Sequence, residues 1–100
     1  MDAVRLISTK RVYADGLIVQ VVVWWLPAAV PPPRHRYKYR LFCGRPGERP
    51  GERLVGFDNE RGKGDHKHVL DVESAYRFTT SEKLLEDFAA GIEQVTGRSP

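Results

Sequence analysis

A chain of 100 residues with 41% apolar side chains and 16 basic against 13 acidic groups has the size and composition of one modest domain, residues 1–100, with a small core of its own. Its net charge of +3 is too small to make the whole surface a polyanion binder, so any such role has to come from local clustering. The lone Cys43 excludes an internal disulfide, and the longest apolar run, Leu17 to Val30, is broken by Gln20 and Pro27 and is too short to span a bilayer; with no charged-then-apolar leader at its start, the chain reads as soluble, cytoplasmic and without a membrane partner.

The first elements form a hairpin. Val4, Leu6, Ile7, Thr9 and Val12 suit a strand, Ala14-Asp15-Gly16 supplies a turn, and Leu17 to Leu26 returns as a second strand. That second strand is apolar on both alternating faces, with Leu17, Val19, Val21, Val23 and Trp25 on one and Ile18, Val22, Trp24 and Leu26 on the other. The pattern predicts a central strand covered on both sides. A chain of this size with a single helix covers one face, so the second is expected to meet a partner, which makes a homodimer one reading.

Pro27 and the Pro31-Pro32-Pro33 run end this strand, because proline lacks an N–H donor. Arg34 to Phe42 reads as a third strand, with Arg34, Arg36, Lys38 and Arg40 on one face and His35, Tyr37, Tyr39 and Leu41 on the other. Gly44 to Gly51 reads as a turn, Arg53 to Phe57 as a fourth strand, Asp58 to Lys67 as a loop and His68 to Leu70 as a short strand. Thr79-x-x-Glu82 fits a capping box; Leu84, Leu85, Phe88, Ala89, Ile92 and Val95 repeat at helical spacing, and Gly97 and Pro100 stand where a helix stops. The expected fold is α+β: an antiparallel sheet of four or five strands with one C-terminal helix packed on one face.

Chemistry concentrates in Arg61 to His68, where Gly62 and Gly64, Lys63 and Lys67, Asp65, and two of the three histidines occupy eight residues. Glycine lets backbone amides approach an anion, and histidine exchanges protons near neutral pH. In an extended segment His66 and His68 share one face and Asp65 and Lys67 the other. Three readings stay open. In the first, one imidazole takes the proton of a ribose 2′-hydroxyl and the other protonates the leaving 5′-oxygen, while Lys63, Lys67 and the glycine amides stabilise the phosphate, with no metal needed. In the second, His66 and His68 with Asp58 or Asp65 ligate a metal, although a His-x-His pair alone is a weak metal signature. The third is a solvated charged turn, with Asp58 making a local turn with Asn59.

The row Arg34, Arg36, Lys38 and Arg40 has no interleaved acid. Same-face residues repeat roughly every 6.6 Å along a strand, which suits successive phosphates of a single strand; an acidic protein partner would satisfy the same row, and a solvated face that discourages edge pairing is the plain alternative. Tyr76-Arg77-Phe78 sets Arg77 between two packing rings, free to contact phosphate or to pair with Asp71 or Glu73.

The segments Tyr39-Arg40-Leu41, Phe57-Asp58-Asn59-Glu60-x-Gly62-Lys63-Gly64-Asp65-His66-x-His68, Tyr76-Arg77-Phe78 and Leu84-Leu85-x-Asp87-Phe88 resemble the TumE-like toxins of prokaryotic toxin–antitoxin systems, with Phe57 where that pattern has tyrosine. The resemblance implies a toxin neutralised by a cognate antitoxin, often one with a DNA-binding module. A toxin needs an essential target, and RNA is the target that suits histidines, lysines and a basic strand. The resulting expectation is a metal-independent endoribonuclease without a cofactor: His66 and His68 as acid and base, Asp65 orienting an imidazole, Lys63, Lys67 and Arg77 on phosphate, and Arg34, Arg36, Lys38 and Arg40 holding the RNA. A non-enzymatic RNA- or protein-binding toxin that blocks translation or replication is the alternative, and a metal-dependent nuclease or nucleotidyltransferase ranks last, since no carboxylate cluster for two metals is evident.

Overall fold

A computed structural model describes residues 2–29, 35–45, 52–60 and 63–100. Six strands, β1 (Val4–Val12), β2 (Ile18–Trp25), β3 (Tyr37–Arg45), β4 (Glu52–Glu60), β5 (Gly64–Val69) and β6 (Val72–Ala75), precede one helix, α1 (Ser81–Thr96). They form a single sheet in chain order, β1-β2-β3-β4-β5-β6, each pair antiparallel. The α+β class and the C-terminal helix agree with the sequence reading.

The strand count does not: six replace the expected four or five. β4 continues to Glu60 and β5 starts at Gly64, so most of the expected Asp58–Lys67 loop is sheet. A tight turn at Leu70 and Asp71, with Leu70 at a φ of 55°, then sends the chain back as β6. All four β6 residues are exposed. That strand joins by main-chain pairing alone, so no apolar alternation marks it in the sequence. The third strand is also shifted, starting at Tyr37 and running through Gly44 to Arg45; the Pro31–Pro33 run, Arg34 and the rest of the expected turn to Gly51 lie outside the described residues.

One face of the sheet carries the core. Val19 pairs with Cys43 and Cys43 with Val55, Val21 with Leu41 and Leu41 with Phe57, and Val23 with Tyr39, and all of these side chains are buried. The helix lays Leu84, Phe88 and Ile92 onto them, burying side chains worth about 1.5–3 kcal/mol each. Gly91 permits that approach, since a Cβ there would stand 3.1 Å from Val55 Cγ1. The N-cap is Thr80, whose hydroxyl accepts from the Lys83 amide at 3.0 Å, one residue later than the expected Thr79 box; Gly97 ends the helix in a left-handed conformation.

The second face is open: no described element packs over Val22, Trp24, Lys38, Arg40 or Phe42. Trp24 and Trp25 fall on opposite faces, as the alternation requires, each beside a guanidinium, Arg5 at 5.9 Å and Arg36 at 5.4 Å. Among the described residues no helix is long and apolar enough to cross a membrane.

Candidate functional site

Strand register builds the open-face site. Cross-strand partners run Val22–Arg40–Asp58–His66 in one row and Gln20–Phe42–Gly56–His68–Glu73 in the next. The expected i, i+2 sharing of a face by His66 and His68 holds, with ring centroids 5.3 Å apart and the planes nearly perpendicular. Beside them lies a cleft of about 830 Å³ whose walls include Trp24, Lys38, Arg40, Phe42, Arg53 and Asp58.

Asp58 sits in β4 opposite His66 rather than in a local turn. Its neighbour Asn59 is buried and acts as a strand mimic: Oδ1 accepts from the Tyr39 amide at 3.0 Å and Nδ2 donates to the Tyr37 carbonyl at 2.7 Å. That clamp fixes the end of β4 against β3 and turns Asp58 to the open face. His66 is 5% exposed. Its Nδ1 lies 3.2 Å from the Gly64 carbonyl, an acceptor only, and its Nε2 lies 2.5 Å from Asp58 Oδ1. The carbonyl only accepts, so Nδ1 carries a proton and Nε2 is turned to the Asp58 carboxylate. Asp58 Oδ1 is itself buried and accepts no hydrogen bond.

Arg53 is a site residue that the sequence pattern hides. By alternation it should share the core face with Val55 and Phe57, but the β3–β4 register shifts between Cys43 and Gly44, where Cys43 pairs with Val55 and Gly44 with Arg53. This bulge inverts parity, so Leu54 and Val55 are both buried and Arg53 swings to the open face. Its stem then crosses Gly56, where a Cβ would come within 2.8 Å of Arg53 Cδ. The guanidinium reaches His68, with Nη2 2.8 Å from Nδ1. Arginine only donates, so this contact makes Nδ1 the unprotonated nitrogen. Burial, and then the Arg53 charge, hold the His68 pKa below its ordinary 6.5. The two imidazoles therefore stand in opposite hydrogen-bond states.

The remaining expected residues divide. Lys63 is beside the pair, bonded at 3.0 Å to Glu73, whose Oε1 is 4.0 Å from His66 Nε2; this bond raises the lysine pKa and lowers that of the acid. Lys38 and Arg40 line the cleft, Lys38 Nζ also donating to the Asn59 carbonyl at 3.1 Å. Arg36 stacks on Trp25 instead of continuing the row. Asp65 and Lys67 lie on the helix side, opposite Asn59 and Phe57. Asp65 does orient an imidazole, but that of His35 at 2.8 Å, and it accepts from the Tyr39 hydroxyl at 2.6 Å. Arg77 is exposed in the connection to α1, between Tyr76, packed edge-on to Phe57, and Phe78, stacked near His35 and Tyr39. Gly64 is a strand residue, and Gly62 and Arg34 lie outside the described residues. Arg53, Gly56 and Glu73 are not singled out for this site from sequence, whereas Asp58 is named there as a candidate metal ligand beside His66 and His68.

One ligand atom each from Asp58, His66 and His68 lies within 4.8 Å of the others, so these three side chains are also able to converge on a cation. No curated protein and no solved structure gives a significant match to the chain. A family model described as Toxin TumE matches residues 2–96, nearly its whole length and including every strand, the helix and the His66–His68 face, and the chain thus belongs to the TumE toxin family.

Proposed function

We propose that this toxin cleaves RNA by acid–base chemistry on the open face. The observation that carries the reading is the pair of imidazoles 5.3 Å apart in opposite hydrogen-bond states at the edge of a basic cleft. Environments that hold two titratable groups apart in this way divide the acid and base roles. His68, kept neutral, takes the 2′-hydroxyl proton; the 2′-oxygen attacks phosphorus; His66, held by Asp58 and the Gly64 carbonyl, protonates the departing 5′-oxygen. The products are a 2′,3′-cyclic phosphate and a free 5′-hydroxyl.

Arg53 has two positions to choose between. In the structure it donates to His68 Nδ1, and a bound phosphate competes for the same fork. When the guanidinium moves to phosphate, it stabilises the developing charge and frees the lone pair the base needs. Lys38 and Arg40 position the flanking backbone and Lys63 adds charge at the far edge, while Trp24 and Phe42 offer faces for unstacked bases. Asp65 and Lys67 face the helix side of the sheet, and the reaction is proposed without them and without Arg77, which is exposed in the connection to α1. Membership of a toxin family implies a cognate antitoxin, and the open face is where neutralisation by an acidic segment, with or without an attached DNA-binding module, would be direct.

The test uses purified chain and total RNA with chelator present, reading cleavage and end chemistry, alongside growth arrest in cells. His66→Ala and His68→Ala are expected to abolish cyclic-phosphate ends and toxicity while still folding and binding antitoxin. Retained cleavage by both variants would remove the pair from the mechanism. Toxicity that survives both but disappears on Lys38→Glu with Arg40→Glu would identify a binding toxin.

A further inference from the structure

We infer that Asp58, His66 and His68 form a site for a borderline divalent cation of the Zn2+ class, and that its occupation silences the toxin. Four features converge on it. The ligand types are two imidazoles and a carboxylate, a set that suits Zn2+ and neighbouring transition ions and not the all-oxygen preference of Mg2+. Asp58 Oδ1 is buried and lacks any hydrogen-bond donor, a charge that a cation would satisfy. His66 already has the supporting geometry of a metal ligand, its Nδ1 tied to the Gly64 carbonyl so that Nε2 faces the carboxylate. The third ligand atom lies within 4.8 Å.

The fit asks for modest movement. Two ligands on one tetrahedral Zn2+ stand about 3.4 Å apart. The 2.5 Å contact between Asp58 and His66 must open by about 1 Å and the 4.8 Å span must close by a little more, motions within reach of Asp58 and His68 rotation. The larger obstacle is electrostatic. Arg53 occupies His68 Nδ1, so a metal using that lone pair must displace a guanidinium, and one using Nε2 needs the tautomer with its proton on Nδ1, against the arginine N–H. Arg53 therefore guards the site, and removing it should strengthen metal binding.

Binding follows from the ligand set alone; silencing rests on the acid–base reading, because a metal on His66 Nε2 takes the lone pair that carries the catalytic proton and releases that proton to solvent. Titration calorimetry with ZnCl2 and with MgCl2 on the full chain separates the two. Zn2+ is expected to bind one ion per chain and Mg2+ not at all; Asp58→Asn and His66→Gln should each weaken Zn2+ at least tenfold, and Arg53→Ala should tighten it, with circular dichroism showing the variants folded. RNA cleavage should fall in step with Zn2+ occupancy and return with chelator. Zn2+ binding unchanged by Asp58→Asn and His66→Gln, or no saturable binding, would overturn the site. Binding as expected with cleavage raised by Zn2+ would keep the site and overturn the silencing along with the metal-independent mechanism. Binding as expected in a chain that cuts no RNA would confirm the site and overturn the nuclease reading together with the silencing that rests on it.

Discussion

Replacing Gly56 with alanine isolates the role of Arg53 without touching a charged group. The added Cβ would lie 2.8 Å from Arg53 Cδ and 3.6 Å from Nε, whereas carbon atoms in contact prefer about 3.5–4.0 Å. The stem must retreat by about 1 Å. Because the guanidinium is held 2.8 Å from His68 Nδ1, that retreat takes it beyond hydrogen-bonding reach. Little stability should be lost: alanine suits a strand at least as well as glycine and the displaced side chain is exposed, so the change should stay within roughly 1 kcal/mol. Cleavage should fall on the order of 10²–10³-fold, the usual effect of removing one donor aimed at transition-state charge. The His68 pKa should rise toward 6.5, since the Arg53 charge is one of its two main depressing causes. A quenched-fluorophore RNA assay, thermal unfolding and an imidazole NMR titration measure the three. Arg53→Ala should give the same losses, and the double variant no more than either single one. Additive losses, or native cleavage by Gly56→Ala, would refute the positioning argument.

Asp58→Asn should lower cleavage on the order of 10²–10⁴-fold, as expected when the carboxylate behind a catalytic imidazole is neutralised, with the unfolding temperature nearly unchanged; native activity would detach Asp58 from the reaction. The pH profile follows from His68, whose folded pKa is lowered. Between that value and 6.5 the unfolded chain binds more protons than the native one, so this contribution to stability is complete above 6.5 and is lost as pH falls through the folded value. Cleavage should fade over the same acidic window, and His68→Gln should flatten the stability profile there in urea titrations. Asp65→Asn should cost about 1–3 kcal/mol by weakening the bonds from His35 and Tyr39 while the folded protein still cuts RNA, and loss of cleavage at native stability would return Asp65 to the site. Leu84→Ala, at a fully buried helix position, should cost about 2–5 kcal/mol by chemical denaturation and abolish toxicity through unfolding.

The uncovered sheet face bears on what the β2 pattern means. Its two apolar sides were read as two covered faces, yet Val22 and Trp24 are half-buried and border a cleft. Apolar character there is as well suited to bases or an antitoxin segment as to a second copy of the chain.

Much of this molecule was legible one residue at a time. Alternation placed Val19, Val21 and Val23 together, the 3.6-residue repeat placed Leu84, Phe88 and Ile92 on one helix stripe, and the i, i+2 spacing put His66 beside His68. Such periodicities are local, and they fix which way a side chain points relative to its own strand or helix. They do not say which strand lies alongside, and a single inserted residue reverses their parity. Hence the pairing of Asp58 with His66, the transfer of Asp65 to His35 on the far face, and the bulge at Leu54 that carries Arg53 over Gly56 to His68 were settled only by cross-strand register, which depends on how distant segments pack together.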